Sequence, residues 1–114
     1  MNIKIIRQRI SKTELEAVAK DTFGDMVKGV ADIRQKILAL GGELHADAEE
    51  ILLHEGSQQE DLWGFNIFVN KSQSDRIEYT SLINIRPRQN NFDREVKDLK
   101  LRETMKTIID TLVE

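Results

Sequence analysis

The stretch MVKGVADIRQKILAL, residues 26–40, decides which fold the rest of the chain adopts. Its apolar residues recur at spacings of four and three, which is typical of one face of an amphipathic helix: Met26, Val30, Ile33, Ile37 and Leu40. Gly29 interrupts that pattern, and the halves VKGVADI and KILAL also suit two short strands that meet at Arg34 and Gln35. Such a hairpin would lack the Asn-Gly or Asp-Gly pair that tight turns favour. The residues alone favour the helix and leave the hairpin as the alternative.

Two elements are predicted ahead of this stretch. Residues 2–7 form a β-branched run that indicates a strand. Ser11 stands three residues before Glu14, which is the spacing of a capping box, and an apolar stripe follows it. A helix is therefore predicted over residues 12–22, ending near Gly24.

Further along the chain, helix and strand signals alternate. Residues 43–54 predict a helix that Gly56 closes. Residues 61–70 are rich in aromatic and β-branched types, and residues 77–86 alternate in polarity. Both runs predict strands, joined by a polar turn as a hairpin that ends at Pro87.

The last part of the chain completes the predicted fold. A polar loop is expected over residues 86–97, and Asp98 is expected to cap a final helix with a continuous apolar stripe. Together these elements predict an α+β fold. It is expected to be a two-layer sandwich, with an antiparallel sheet of about four to five strands and the helices packed on one face. Residues 1–114 are expected to form a single domain.

Composition narrows the classes of protein to which the chain can belong. Its 114 residues carry a formal net charge of −3 with acidic and basic residues intermixed, which makes a nucleic-acid partner unlikely. There is no cysteine, so disulfides and thiolate metal sites are excluded. No window approaches the ~18 apolar residues of a membrane span. A soluble, cytoplasmic protein is expected.

The second predicted helix carries both histidines of the chain. His45 and His54 lie nine residues apart and on opposite sides of a helix, so they cannot share an ion, and no metal site is predicted. His45 lies at the border of the buried face, where its ring nitrogens need partners. One interpretation is a structural hydrogen bond to a carboxylate or a backbone carbonyl. The other is a general base that works with Asp47, Glu60 or Asp61 as further candidate catalytic residues.

The run NIRPRQNN, residues 84–91, is where a bound ligand is most expected. Arg86 and Arg88 flank a proline there, and guanidinium groups bind carboxylate or phosphate. No glycine-rich phosphate loop accompanies them, and no cofactor is predicted. Asn84 and the only tryptophan, Trp63, complete the candidate ligand-binding residues. The structural alternatives are an ordered surface loop for the run and core filling for the tryptophan.

Three segments carry a family resemblance: GGELHADAEEILLHEGS (41–57), QEDLWGFNI (59–67) and IEYTSLINIRPRQNN (77–91). They resemble a small family of uncharacterised prokaryotic proteins, described as a domain of unknown function, along residues 26–113. In that family the segment before GGELHAD resembles paired strands, which favours the hairpin at 26–40. The resemblance implies no activity. The residues that match its motifs are His45, Asp47, Glu60, Asp61, Trp63, Asn84 and Arg86. Family members tend to have a glycine after the proline, where this chain has Arg-Gln-Asn-Asn.

The expected function follows from what the sequence lacks as much as from what it contains. With no complete catalytic constellation, the leading expectation is a domain that acts through a protein partner or as a homo-oligomer. The alternative is a small hydrolase or metal-dependent enzyme that uses His45 with nearby carboxylates and Arg86 as an anion clamp. A third hypothesis is a module that contacts RNA through residues 84–97.

Overall fold

The computed structural model describes residues 2–114, and it contains a five-stranded antiparallel sheet and three α-helices. The strands are β1 (Lys4–Ile6), β2 (Met26–Asp32), β3 (Ile37–Leu40), β4 (Leu62–Phe68) and β5 (Ile77–Glu78). The helices are α1 (Lys12–Lys20), α2 (His45–His54) and α3 (Leu99–Leu112). The strand order is β1-β3-β2-β4-β5, and every neighbouring pair is antiparallel. The predicted α+β class with an antiparallel sheet is confirmed.

The stretch 26–40 is the hairpin of β2 and β3, and the helix that its spacing favours does not form. The reason is that both faces of these strands are buried: Val27 and Ala31 contact one core cluster, and Val30 contacts the other. A strand buried on both sides loses the simple alternation that would distinguish it from a helix. The resemblance to a known family was therefore the better guide at this point.

The turn of this hairpin is organised by a carboxylate rather than by glycine. Asp32 Oδ1 accepts hydrogen bonds from the backbone N–H groups of Arg34 and Gln35, both at 2.9 Å. Lys36 then adopts a left-handed conformation with φ of +58°. Asp32 is fully buried, and its other oxygen accepts a hydrogen bond from Ser57 Oγ at 2.6 Å. The side-chain acceptor thus takes the place of the usual turn residues.

The helices cover both faces of the sheet, which differs from the predicted arrangement with all helices on one face. Buried residues of α1 and α3, such as Leu15 and Met105, pack in one cluster with Phe65 of β4. Ala48 and Leu52 of α2 pack in a second cluster with Val30 on the opposite face. The difference follows from the two-sided burial of the central strands, because each face needs its own apolar cover.

The strand predicted over residues 77–86 is much shorter than expected. β5 pairs with β4 only through Ile77 and Glu78, and the chain then turns through short 3-10 helices at Leu82–Asn84 and Pro87–Gln89. The N-terminal half of β4 therefore has no strand beside it on this side. Other backbone groups and side chains must satisfy its open edge.

The predicted helix caps are present. Ser11 and Glu14 form the reciprocal capping box of α1, and Asp98 accepts from the backbone N–H groups of Lys100 and Leu101 at the start of α3. Within residues 2–114, no helix combines the length and the hydropathy that crossing a membrane requires.

Candidate functional site

The open edge of β4 is completed by a side chain instead of a strand. Gly64 N–H donates to Asn84 Oδ1 at 2.8 Å, and Asn84 Nδ2 donates back to the Gly64 carbonyl at 3.0 Å. The fully buried carboxamide of Asn84 therefore makes the same pair of bonds that the backbone N–H and C=O of a residue in a neighbouring antiparallel strand would make. It also donates to the Arg94 carbonyl at 3.2 Å. One side chain thus connects the edge of β4 to the segment that contains Asn84 and to the segment that contains Arg94.

Gly64 permits this close approach because it has no side chain. A Cβ added there would lie 2.6 Å from Ser81 Cβ and 2.8 Å from Ser81 Oγ, which is too close for real atoms. The segment of residues 81–91, here called the edge segment, thus lies directly against the backbone of β4.

Asn91 closes the far end of the edge segment. Its backbone exchanges two hydrogen bonds with Arg86, and its buried side chain donates to the carbonyls of Asn84, Asp93 and Glu95 at 2.8, 2.9 and 3.1 Å. Asn90 adopts the left-handed conformation with φ of +63°, which asparagine tolerates better than most residues. Asparagine therefore makes the tight turn after Pro87.

Arg86 fastens the edge segment to α2 and to the start of β4. Its Nε donates to the Ile83 carbonyl at 3.1 Å, and its Nη1 donates to the Gln59 carbonyl at 2.7 Å and to Gln89 Oε1 at 3.3 Å. Its Nη2 donates to the Leu62 carbonyl and, at 3.4 Å, to Glu49 Oε2. A guanidinium has five N–H groups, and the partners here also number five.

Arg86 lies in a largely buried environment that contains a carboxylate and an aromatic ring. The side chains of Arg86 and Glu49 are only 10% and 13% exposed, and the guanidinium lies 4.5 Å from the centre of the Trp63 ring. Burial lowers the pKa of Arg86, and the Glu49 carboxylate opposes that shift. Because no N–H group is left over, Arg86 positions its neighbours and does not offer a free fork to an anion.

A cleft of about 560 Å³ opens beside this network. Its lining combines apolar residues, Leu82, Ile83, Ile85 and Pro87, with polar ones, Glu49, Gln59, Arg86, Arg88 and Gln89. Leu82 is 66% exposed and Ile85 is 43% exposed, although both stand on a segment that is held in place by buried hydrogen bonds. The cleft lies on the run NIRPRQNN, where the sequence predicts a ligand. Arg88 contributes an exposed cation to it.

His45 has a different environment from the one that the enzyme hypothesis requires. Its ring is buried, and Nε2 lies 2.8 Å from the Phe65 carbonyl oxygen. A carbonyl only accepts, so Nε2 carries the proton of the ring. Burial lowers the pKa of His45 and the nearby Lys28 charge lowers it further, while the bond to Phe65 opposes the shift. The neutral imidazole thus connects α2 to β4 through this hydrogen bond.

The carboxylates named as candidates do not gather around His45 and Arg86 in the cleft. Asp61 Oδ2 accepts from Arg34 Nε at 3.2 Å at the hairpin end of the sheet, and Glu60 is exposed beside it. Neither His45 nor Asp47, Glu60 or Asp61 lines the cleft. Among residues 2–114, no group of three or more His, Asp or Glu side chains is placed to hold a metal ion.

Two residues with large structural roles, Asp32 and Asn91, are absent from the candidates drawn from the sequence. The signal for Asp32 was its place just before a possible turn, where a carboxylate can accept from the next backbone N–H groups. Asn91 gave no local signal, since its partners are spread over the following loop.

The comparisons with curated proteins and with solved structures found no match. One family model, described as "Protein of unknown function (DUF5674)", matches residues 4–112. That match confirms the resemblance to a family of unknown function, and it includes β1 and α1. The chain therefore belongs to DUF5674, a family of unknown function.

Proposed function

We propose that this protein is a self-association module without catalytic activity. Its interface is the surface formed by Leu82, Ile85 and Phe92, here called the 82–92 surface. The observation that carries this proposal is the exposure of all three large apolar side chains, at 66%, 43% and 66%, on one short stretch of chain. Scattered apolar residues are ordinary on a surface, whereas several on one stretch beside a cleft are typical of interfaces.

The rigidity of the edge segment supports this proposal. Asn84, Arg86 and Asn91 hold its backbone through bonds to β4, α2 and the 93–97 loop. A surface that is already ordered loses little conformational entropy when a partner docks, so more of the contact energy is available for affinity. Leu82 and Ile85 alternate with the buried anchor residues, so they are presented in fixed positions.

A second copy of the chain is the partner that the charges favour. Arg88 places an exposed cation at the cleft, and Glu49 of α2 also lines it. α2 also carries acidic residues on its outer side, of which Glu50 is exposed. A two-fold axis near the cleft brings Arg88 of each copy towards α2 of the other, which makes the surface complementary to itself.

Sedimentation velocity over a wide concentration range tests this proposal. The wild-type protein is expected to shift from monomer to dimer, and Leu82→Asp is expected to stay monomeric. Leu99→Asp is the matched control, since Leu99 is 76% exposed but stands at the start of α3. A wild-type protein that stays monomeric at the highest soluble concentration, or a Leu82→Asp variant that dimerises like the control, would overturn the proposal.

The alternative of a small hydrolase remains a prediction. None of the observations above favours it over self-association, because Nε2 of His45 and every N–H group of Arg86 already have partners.

A further inference from the structure

Three of the polar side chains that line the cleft beside the edge segment already have partners within the protein. Gln89 Oε1 accepts a hydrogen bond from Arg86 Nη1 at 3.3 Å, and Gln89 Nε2 donates to the Glu60 carbonyl at 2.9 Å. Glu49 Oε2 accepts from Arg86 Nη2 at 3.4 Å. A polar ligand would have to compete with these bonds, whereas an apolar group leaves them intact. The cleft therefore suits an apolar occupant.

Phe92 projects from the chain beside this cleft. Arg86 and Asn91 form an antiparallel bridge whose two backbone hydrogen bonds are 2.7 and 3.1 Å long, and their side chains point into the protein. Because side chains of an extended chain alternate between its two sides, Ile85 and Phe92 lie on the outer side of this bridge. They are 43% and 66% exposed there. Ile85 lines the cleft and Phe92 does not, so the ring stands next to the cleft of its own chain.

A projecting side chain beside a cleft makes a surface that can be complementary to itself. In a dimer with two-fold symmetry both copies use the same surface, so a side chain beside the cleft of one copy can enter the cleft of the other. The cleft of about 560 Å³ lies within the range of small-molecule sites, about 300–1,000 Å³, and has room for a benzyl group.

Arg88 supplies a cation that suits an aromatic occupant. It lines the cleft and is exposed, and it forms no ion pair within residues 2–114. The flat face of a guanidinium stacks on an aromatic ring, and its N–H groups at the edge stay free for a carboxylate. Arg88 can therefore contact a ring in the cleft and an acidic side chain of α2 at the same time.

We propose that each copy in the dimer places the ring of Phe92 in the cleft of the other copy. This proposal rests on the self-association proposed above and adds the side chain that fills the site. The ring packs against Ile83 and Pro87, and Arg88 stacks on it. The buried side chain of Asn91 holds the backbone next to Phe92, so this backbone loses little freedom when the ring enters. The cleft of one chain is thus incomplete without the second copy.

Sedimentation velocity tests the contribution of the ring. Phe92→Ala is expected to weaken the dimer by about thirtyfold, an effect typical of truncating an aromatic residue at the centre of an interface. Phe23→Ala is the matched control, since Phe23 is 42% exposed and lies outside the 82–92 surface. Circular dichroism checks that both variants are folded. If Phe92→Ala dimerises like the control, Phe92 does not fill the cleft, and the self-association proposal is unaffected. If the wild type does not dimerise, both proposals are wrong.

Isotope-filtered NMR tests where the ring lies in the dimer. Copies with labelled methyl groups are mixed with unlabelled copies, and only nuclear Overhauser effects between copies are recorded. Effects from an aromatic ring to the methyl groups of Ile83, which lines the cleft, are expected. They should disappear when the unlabelled copy carries Phe92→Leu, which keeps an apolar side chain. A dimer that shows no such effect at Ile83, or one in which Phe92→Leu leaves it unchanged, contradicts this occupant of the cleft.

Discussion

The side chain of Asn84 and the backbone of Gly64 form a closed pair of hydrogen bonds, 2.8 and 3.0 Å long, in the buried edge of the sheet. A backbone edge that lacks a strand must still satisfy its polar groups, and here one carboxamide does so. This pairing explains how β5 can end after two residues while β4 continues for seven. It also fixes the stretch of chain from which the 82–92 surface projects.

The first prediction concerns this pair of bonds. Asn84→Ala leaves the N–H and C=O groups of Gly64 buried without partners, so the free energy of unfolding should fall by about 3 kcal/mol. Urea denaturation monitored by circular dichroism measures the change. Asn70→Ala is the matched control, since Asn70 is exposed near the end of the β4 region. A loss no larger than that of the control would mean that water replaces the carboxamide.

The second prediction concerns the absence of a side chain at Gly64. Gly64→Ala forces its Cβ against Ser81, so the variant should be destabilised and the edge segment displaced from β4. Ser81→Gly removes the atoms that clash, and the double variant should recover part of the loss. A double-mutant cycle measures this coupling, and additive effects of the two changes would contradict the contact.

The secondary structure was predictable where local chemistry determines it. The capping box at Ser11 and the cap at Asp98 both follow from side chains that bond backbone groups within a few residues. The residues of β2 and β3 were ambiguous for a physical reason: both faces are buried, so neither the period of a strand nor that of a helix is distinctive. The same two-sided burial places α2 opposite α1 and α3, which no local pattern indicates.

The sequence indicated where to look for a ligand but not what Arg86 does in the fold. The run around Arg86 lines the cleft of about 560 Å³, and ligand binding there stays a prediction. The sequence could not show that Arg86 donates hydrogen bonds to the carbonyls of Gln59, Leu62 and Ile83. These partners depend on how distant segments pack. The sequence around an arginine in a loop is the same whether the guanidinium N–H groups are free or already have acceptors.

The third prediction is a pH dependence of stability that His45 causes. Burial holds the pKa of His45 in the folded protein below its ordinary value of 6.5. The unfolded chain therefore takes up a proton at a higher pH than the folded protein does. The contribution of His45 to the free energy of unfolding is fully present above the pKa that this residue has in the unfolded chain. It declines as the pH falls below about 6.5.

Urea midpoints measured between about pH 7.5 and pH 5 follow this decline, since most carboxylates protonate only below that window. His45→Gln keeps an N–H donor for the Phe65 carbonyl and does not titrate, so its midpoint should change less with pH. His54→Gln is the matched control on the exposed end of α2. An equal slope in the wild type and in His45→Gln would show that His45 is protonated to the same extent in both states.

The fourth prediction separates a specific dimer from non-specific apolar contact. If Arg88 of one copy lies opposite α2 of the other, Arg88→Glu brings like charges together and should weaken the dimer, and so should Glu50→Arg. Mixing the two single variants restores opposite charges at both symmetry-related contacts, so a heterodimer should form in the mixture. Exchange of charge at a rim changes the dissociation constant modestly, by about tenfold per contact, and more strongly at low salt.

Sedimentation of each variant alone and of the mixture measures this, and the double variant Arg88→Glu with Glu50→Arg should dimerise with itself. If the mixture stays monomeric while Leu82→Asp still abolishes dimerisation, the apolar interface is supported and the two-fold arrangement is contradicted. The reason is that only this arrangement pairs residue 88 of one copy with residue 50 of the other.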